Sequence, residues 1–129
     1  MPTKLNLKYD NEILTAILTG EYSPDSAKEN FTQILNAAAE NKTEKVVIDT
    51  TGISEITTSL LNAFDYGKFV ASEFLEHIKK GFTSIKFAYL YIPQNEDVLK
   101  FGETVAQNRG MRAKAFTDMN EAVKWLKEE

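Results

Sequence analysis

Val46-Val47-Ile48 is a short, unbroken apolar run, and no other feature of the chain limits its fold as tightly. A strand wetted on one face alternates apolar with polar residues. One without a polar position is covered on both faces, as in a parallel sheet flanked by helices. The segments around it fit that scheme. Phe31, Ile34, Leu35 and Ala38 recur at helical spacing before the run, with Ser23 placed to cap and Pro24 at the first helical position. Asn41-Lys42-Thr43 ends that helix. After the polar stretch 49–54, the pattern is helical from 58 to about 80, with Gly67 as a kink or a break between two helices.

The rest of the chain repeats the alternation. Ile85, Phe87, Tyr89 and Tyr91 form a period-two strand stopped by Ile92-Pro93, and residues 96–108 fit a helix with Gly110 just past its end. Residues 113–116 give the last strand, and Thr117-Asp118 caps a final helix carrying Ala122, Trp125 and Leu126. At the other end, Leu5, Leu7 and Tyr9 alternate so as to place one face on a core. Asp10-Asn11-Glu12 then turns the chain into a second strand, Ile13 to Thr19, giving an antiparallel hairpin. The order is ββαβαβαβα, an α/β fold with a mixed, mostly parallel sheet of about five strands and four or five helices.

Composition narrows the chemistry. At 129 residues, without a linker or repeat, the chain reads as a single domain, 1–129. It has no cysteine and one histidine, which excludes disulfides, thiolate nucleophiles and clustered Cys/His metal sites and points to no cofactor. A net charge of −4 with two arginines argues against a nucleic-acid partner. The opening residues have no signal-peptide core, and no stretch offers the roughly 18 apolar residues of a transmembrane segment, so the expected location is cytoplasmic.

Three segments carry a family resemblance. Val46-Val47-Ile48-Asp49-Thr50-Thr51-Gly52-Ile53 is similar to a strand followed by "D-l-s-g-v". Thr57-Thr58-Ser59-Leu60 stands where a "D-S-S-G" motif opens the next helix. The tail from Ala115 to Leu126 is similar to "v-F-t-d-x-x-e-A-x-x-W-L". Together they resemble the SpoIIAA-like group of the STAS (anti-sigma-factor antagonist) superfamily, over nearly the whole chain. The resemblance implies the STAS fold and a non-catalytic regulatory or protein-interaction module, not an enzyme. The resemblance further implies that the module works through the loop and helix start after the third strand, with a protein partner or a second copy in a homodimer. In the antagonists the first serine of "D-S-S-G" is phosphorylated, and Thr58 holds that position. Thr57 replaces the family's Asp, and Leu60 its Gly.

The remaining candidates have competing readings. Thr58 or Ser59 also serves simply as a helix cap. Asp49 lies at the end of the central strand, where it either pairs with Glu55 as acid and base or ties down the Thr50-Thr51-Gly52 loop through backbone hydrogen bonds. His77 follows Glu73 by one helical turn, but without a second histidine or a cysteine it reads as a surface histidine. The aromatic segment 64–82, with Phe64, Tyr66, Phe69, Phe74 and Phe82, reads first as core packing. Its alternatives are a subunit or partner interface, and a lid over a small apolar, lipid-like ligand that the protein carries or senses. Tyr89 and Tyr91 share a strand face, so at least one is expected to be buried with its hydroxyl paired.

Overall fold

A computed structural model of the chain describes residues 3–53, 56, 59–81 and 84–128. Five strands, β1 (Lys4–Asp10), β2 (Ile13–Gly20), β3 (Lys45–Ile53), β4 (Lys86–Leu90) and β5 (Arg112–Phe116), lie side by side in chain order. The β1–β2 pair is antiparallel and the other three pairs are parallel. Asn11 and Glu12 both adopt positive φ in the two-residue hairpin turn, whose twist matches that of the strands it joins.

Helices α1 (Pro24–Asn41), α2 (Leu60–Lys79) and α3 (Glu96–Asn108) make the parallel crossovers, and α4 (Met119–Lys127) follows β5. Crossovers share one hand, and the strand order never reverses between β2 and β5. All three crossover helices therefore pack on one face of the sheet. Leu14, Ala16, Val46, Ile48, Phe87 and Tyr89 meet Phe31, Ile34, Val70 and Phe74 there. The ring of Phe87 lies 5.3 Å from Phe31 and 6.1 Å from Phe74, centroid to centroid. The opposite face is smaller: Val47, Ala88 and Leu90 pack under Ala122 and Leu126 of α4. The apolar run thus divides as its lack of polar positions requires, Val46 and Ile48 to one layer and Val47 to the other.

Three local expectations are corrected. The alternating face of β1 is not core: Leu5 is half-buried, but Leu7 and Tyr9 are 42% and 45% exposed. They pair with the buried Ala16 and Leu14 of β2, so they point to the three-helix side but stand at the sheet edge, outside the cover of α1. Gly67 does not break α2, which runs through it as one continuous helix. A Cβ at Gly67 would stand 2.8 Å from the Cβ and Cγ1 of Val105, so the glycine lets α2 and α3 approach closely. His77 is not a surface residue. It is 6% exposed, one turn beyond Phe74 on the buried side of α2.

Candidate functional site

The end of β3 is held by side chains that answer backbone groups. The sheet register shifts between Ile17 and Thr19 of β2, and strand pairing continues to Ile53, beyond the expected apolar run. Gly52 is needed there, since a Cβ would come within 2.7 Å of Thr19 Cγ2 and 2.8 Å of the Leu18 carbonyl oxygen. Asp49 is half-buried, and its Oδ1 accepts from the Thr51 backbone N–H at 2.9 Å and from the Thr51 hydroxyl at 2.6 Å. That is the loop-fixing role open to it from the sequence. Thr50 is buried and donates its hydroxyl to the Leu90 carbonyl, tying β3 to the end of β4.

Asn95 was not singled out by any sequence pattern, yet it holds this corner together. It closes a short 3-10 turn, Pro93–Asn95, ahead of α3 and is only 2% exposed. Its Oδ1 accepts from the Ile56 N–H at 2.8 Å, and its Nδ2 donates to the Ile53 carbonyl at 3.3 Å. One side chain thus grips the segment between β3 and α2 at two points. Glu55, Thr57 and Thr58 lie outside the described residues, as does Phe82. Ser59 caps α2, accepting from the Asn62 N–H at 3.1 Å. In the first turn beyond it, Leu61 is 68% exposed, the most exposed of the large apolar side chains described.

The aromatic residues of α2 have separate fates. Phe74 is buried in the core against Phe87 and offers no surface to a partner. Phe64 and Phe69 are half-buried at the margins, each beneath cations: Lys68 and Arg109 over Phe64 at 5.5 and 5.7 Å, and Lys28 over Phe69 at 5.7 Å. Tyr66 turns inward, its hydroxyl 2.9 Å from that of Tyr89 on β4. Burial pushes both phenols above their ordinary pKa. Tyr91 is buried as well, and its hydroxyl donates to Glu96 at 3.3 Å.

Beneath α2, between the crossover helices and the sheet, lies a cavity of about 80 Å³ with mainly apolar walls. Ile34, Ile48 and Val70 line it, as do Asn30, Tyr66 and Tyr89. Among the described residues no group of three or more His, Asp or Glu side chains is placed to hold a metal ion, and no helix is long and apolar enough to cross a membrane.

No family model matches the chain, and no curated protein matches it in sequence. Solved structures do match in fold. An anti-sigma factor antagonist from Mycobacterium paratuberculosis aligns with a TM-score of 0.62 at 10% identity, covering 98% of this chain and 96% of its own. An uncharacterized DUF3478-family protein with a SpoIIAA-like fold, from Shewanella loihica PV-4, aligns with a TM-score of 0.51 at 19% identity, covering 96% and 93%. The chain has the SpoIIAA-like, STAS-type fold.

Proposed function

We propose that the protein is a non-catalytic, cytoplasmic regulatory module that binds another protein through residues 49–61, the end of β3 with the loop and helix start that follow it. The exposed Leu61 in the first turn of α2, beside a loop anchored by Asn95, carries the reading. An apolar side chain on a fixed base gains contact area on docking with little ordering cost. In the sequence Thr58 directly precedes the Ser59 cap, and a helix start, with its unpaired N–H groups and positive dipole end, favours a phosphate. Thr57 directly precedes that position, and Asp49 lies nine residues before it. The anti-sigma factor antagonist among the structural neighbours is in keeping with a regulatory role.

A photo-crosslinking residue placed at Leu61, with Leu7 on β1 as control, tests this in the cells of origin. The expected result is a discrete adduct from position 61 alone, abolished by Thr58→Glu. An adduct made only of this chain would identify the partner as a second copy. No adduct from position 61, or equal adducts from both positions, sinks the proposal.

A second reading, a sensor of a small apolar ligand beneath the aromatic face of α2, is favoured by the cavity there. At about 80 Å³ it is well short of the roughly 150 Å³ that admits benzene, so a compact molecule suits it better than a lipid chain.

A further inference from the structure

We propose that the cavity beneath α2 binds a small, uncharged carbonyl compound whose oxygen accepts a hydrogen bond from the Asn30 side-chain amide. The proposal rests on the second reading above and gives its ligand a chemical class. Asn30 lies on α1, is 8% exposed and lines the cavity, and its Nδ2 has no hydrogen-bond partner. A buried amide donor left unpaired forfeits its hydration without compensation, and such groups are rare enough in folded proteins to need an explanation. An acceptor entering from the cavity supplies one.

The tyrosine pair of the wall adds a second donor. Tyr66 and Tyr89 share one hydrogen bond between two hydroxyls, so one of the two phenolic protons remains for a group outside the pair. The site therefore offers donors, from Asn30 and from the tyrosine pair. Glu103 also lines the cavity, one carboxylate oxygen accepting from the Ala115 N–H and the other 3.8 Å from the Lys100 ammonium, and among the described residues no cationic side chain lines the cavity itself. A carboxylate in the wall, with its cation outside the cavity, gives an anionic ligand nothing to pair with. Phe31, Ile34 and Val70 then require an apolar body. A water would satisfy the Asn30 amide but leave the apolar part of the wall without contacts. A neutral ketone or amide of about three or four non-hydrogen atoms meets all these conditions, scaled from the roughly 150 Å³ that accepts the six carbons of benzene.

The test is a nitrogen-15 and methyl NMR titration of the full chain with acetone and with 2-methylpropene, in which a methylene group replaces the carbonyl oxygen. Acetone is expected to give saturable shifts of the Asn30 side-chain amide and of the Ile34 and Val70 methyls. The alkene should bind roughly fivefold more weakly, as should acetone to Asn30→Leu, the loss of one neutral hydrogen bond. An intermolecular NOE from acetone methyls to the Asn30 amide protons, read on the unaltered protein, keeps the test decisive if Asn30→Leu does not fold. Equal affinity for ketone and alkene overturns the carbonyl assignment but leaves the apolar-ligand reading standing. No saturable shift with either probe overturns both. A long-lived water at the Asn30 amide that persists at the highest acetone concentration also overturns the assignment.

Discussion

The hydroxyls of Tyr66 on α2 and Tyr89 on β4 meet at 2.9 Å inside the protein, each the other's polar partner in an otherwise apolar layer. Replacing either by phenylalanine strands the remaining hydroxyl, at a cost of about 1–2 kcal/mol. Replacing both removes the deficit along with the bond, so the double variant should be less destabilised than the sum of the singles. Urea denaturation of the wild type, both singles and the double measures this coupling. Purely additive losses would mean that the two hydroxyls do not act as a pair.

The same burial predicts behaviour in alkali. Both phenols are raised above the ordinary tyrosine value, Tyr89 well above it, chiefly by desolvation. The folded state therefore keeps protons that the unfolded state releases. Stability is whole below about pH 10 and is lost as pH climbs past the unfolded tyrosine value. Of the chain's five tyrosines, Tyr66 and Tyr89 should yield phenolate absorbance only as the circular dichroism signal collapses. Full titration before unfolding would contradict their burial.

His77 gives the opposite edge of the pH range. Burial lowers its pKa, and the nearby Lys80 lowers it further. Its neutral form is therefore favoured in the folded state, whereas the unfolded chain takes up a proton near pH 6.5. Stability from this group is complete above that value and declines as pH falls toward the folded pKa, at no more than about 1.4 kcal/mol per pH unit. Thermal unfolding of wild type and His77→Gln between pH 7.5 and about 5 should show a decline in the wild type that the variant lacks. Parallel curves would rule out this contribution.

These residues also show how far the sequence could be read. The order of elements was legible because the apolar period changes from 2 to 3.6 at each strand–helix boundary, with caps such as Ser59 and Asp118 marking helix starts. Period alone does not say whether a face is covered. Leu7 and Tyr9 carry the pattern of a core strand, but at a sheet edge no helix reaches them. Nor does it rank a polar residue on an apolar stripe, and His77 follows Phe74 and Val70 into the interior. At the candidate site, Asp49 could be read because its hydrogen bonds are local. Asn95 could not, because its partners Ile53 and Ile56 lie far back along the chain. The Asn30 cavity likewise exists only once three helices and a sheet are assembled.

Two helical glycines should respond oppositely to the same substitution. Alanine at Gly67 puts a methyl 2.8 Å from the Val105 side chain, and overpacking of this kind costs about 1–3 kcal/mol, against a helix-propensity gain of about 1. Gly67→Ala should lose up to about 2 kcal/mol on balance. Adding Val105→Ala removes the Cγ1 contact but keeps the Cβ one, so the double variant should recover part of the loss beyond what the two singles predict. At Gly102, on the facing helix, a Cβ meets nothing within 4 Å, so Gly102→Ala should be stabilising by up to about 1 kcal/mol. Equal effects at both positions in thermal melts would remove close packing as the reason for Gly67.

Asn95 allows the anchoring of the proposed docking loop to be separated from overall folding. Asn95→Ala removes an acceptor from the Ile56 N–H and a donor from the Ile53 carbonyl, at a cost of about 2–3 kcal/mol. Amide exchange at Ile56 should accelerate by far more than at Val47 or Ala88 in the sheet, because the loop loses its own tether while the strands lose only global stability. Asn95→Asp refines the argument. Its carboxylate can still accept from Ile56 but cannot donate to Ile53 when ionised, and it places a charge where the side chain is 2% exposed. That variant should be least stable at neutral pH and recover as pH falls and the acid becomes a donor again, the reverse of the wild-type trend from His77. If Asn95→Ala leaves Ile56 exchange tracking the sheet, the loop is held by something other than Asn95.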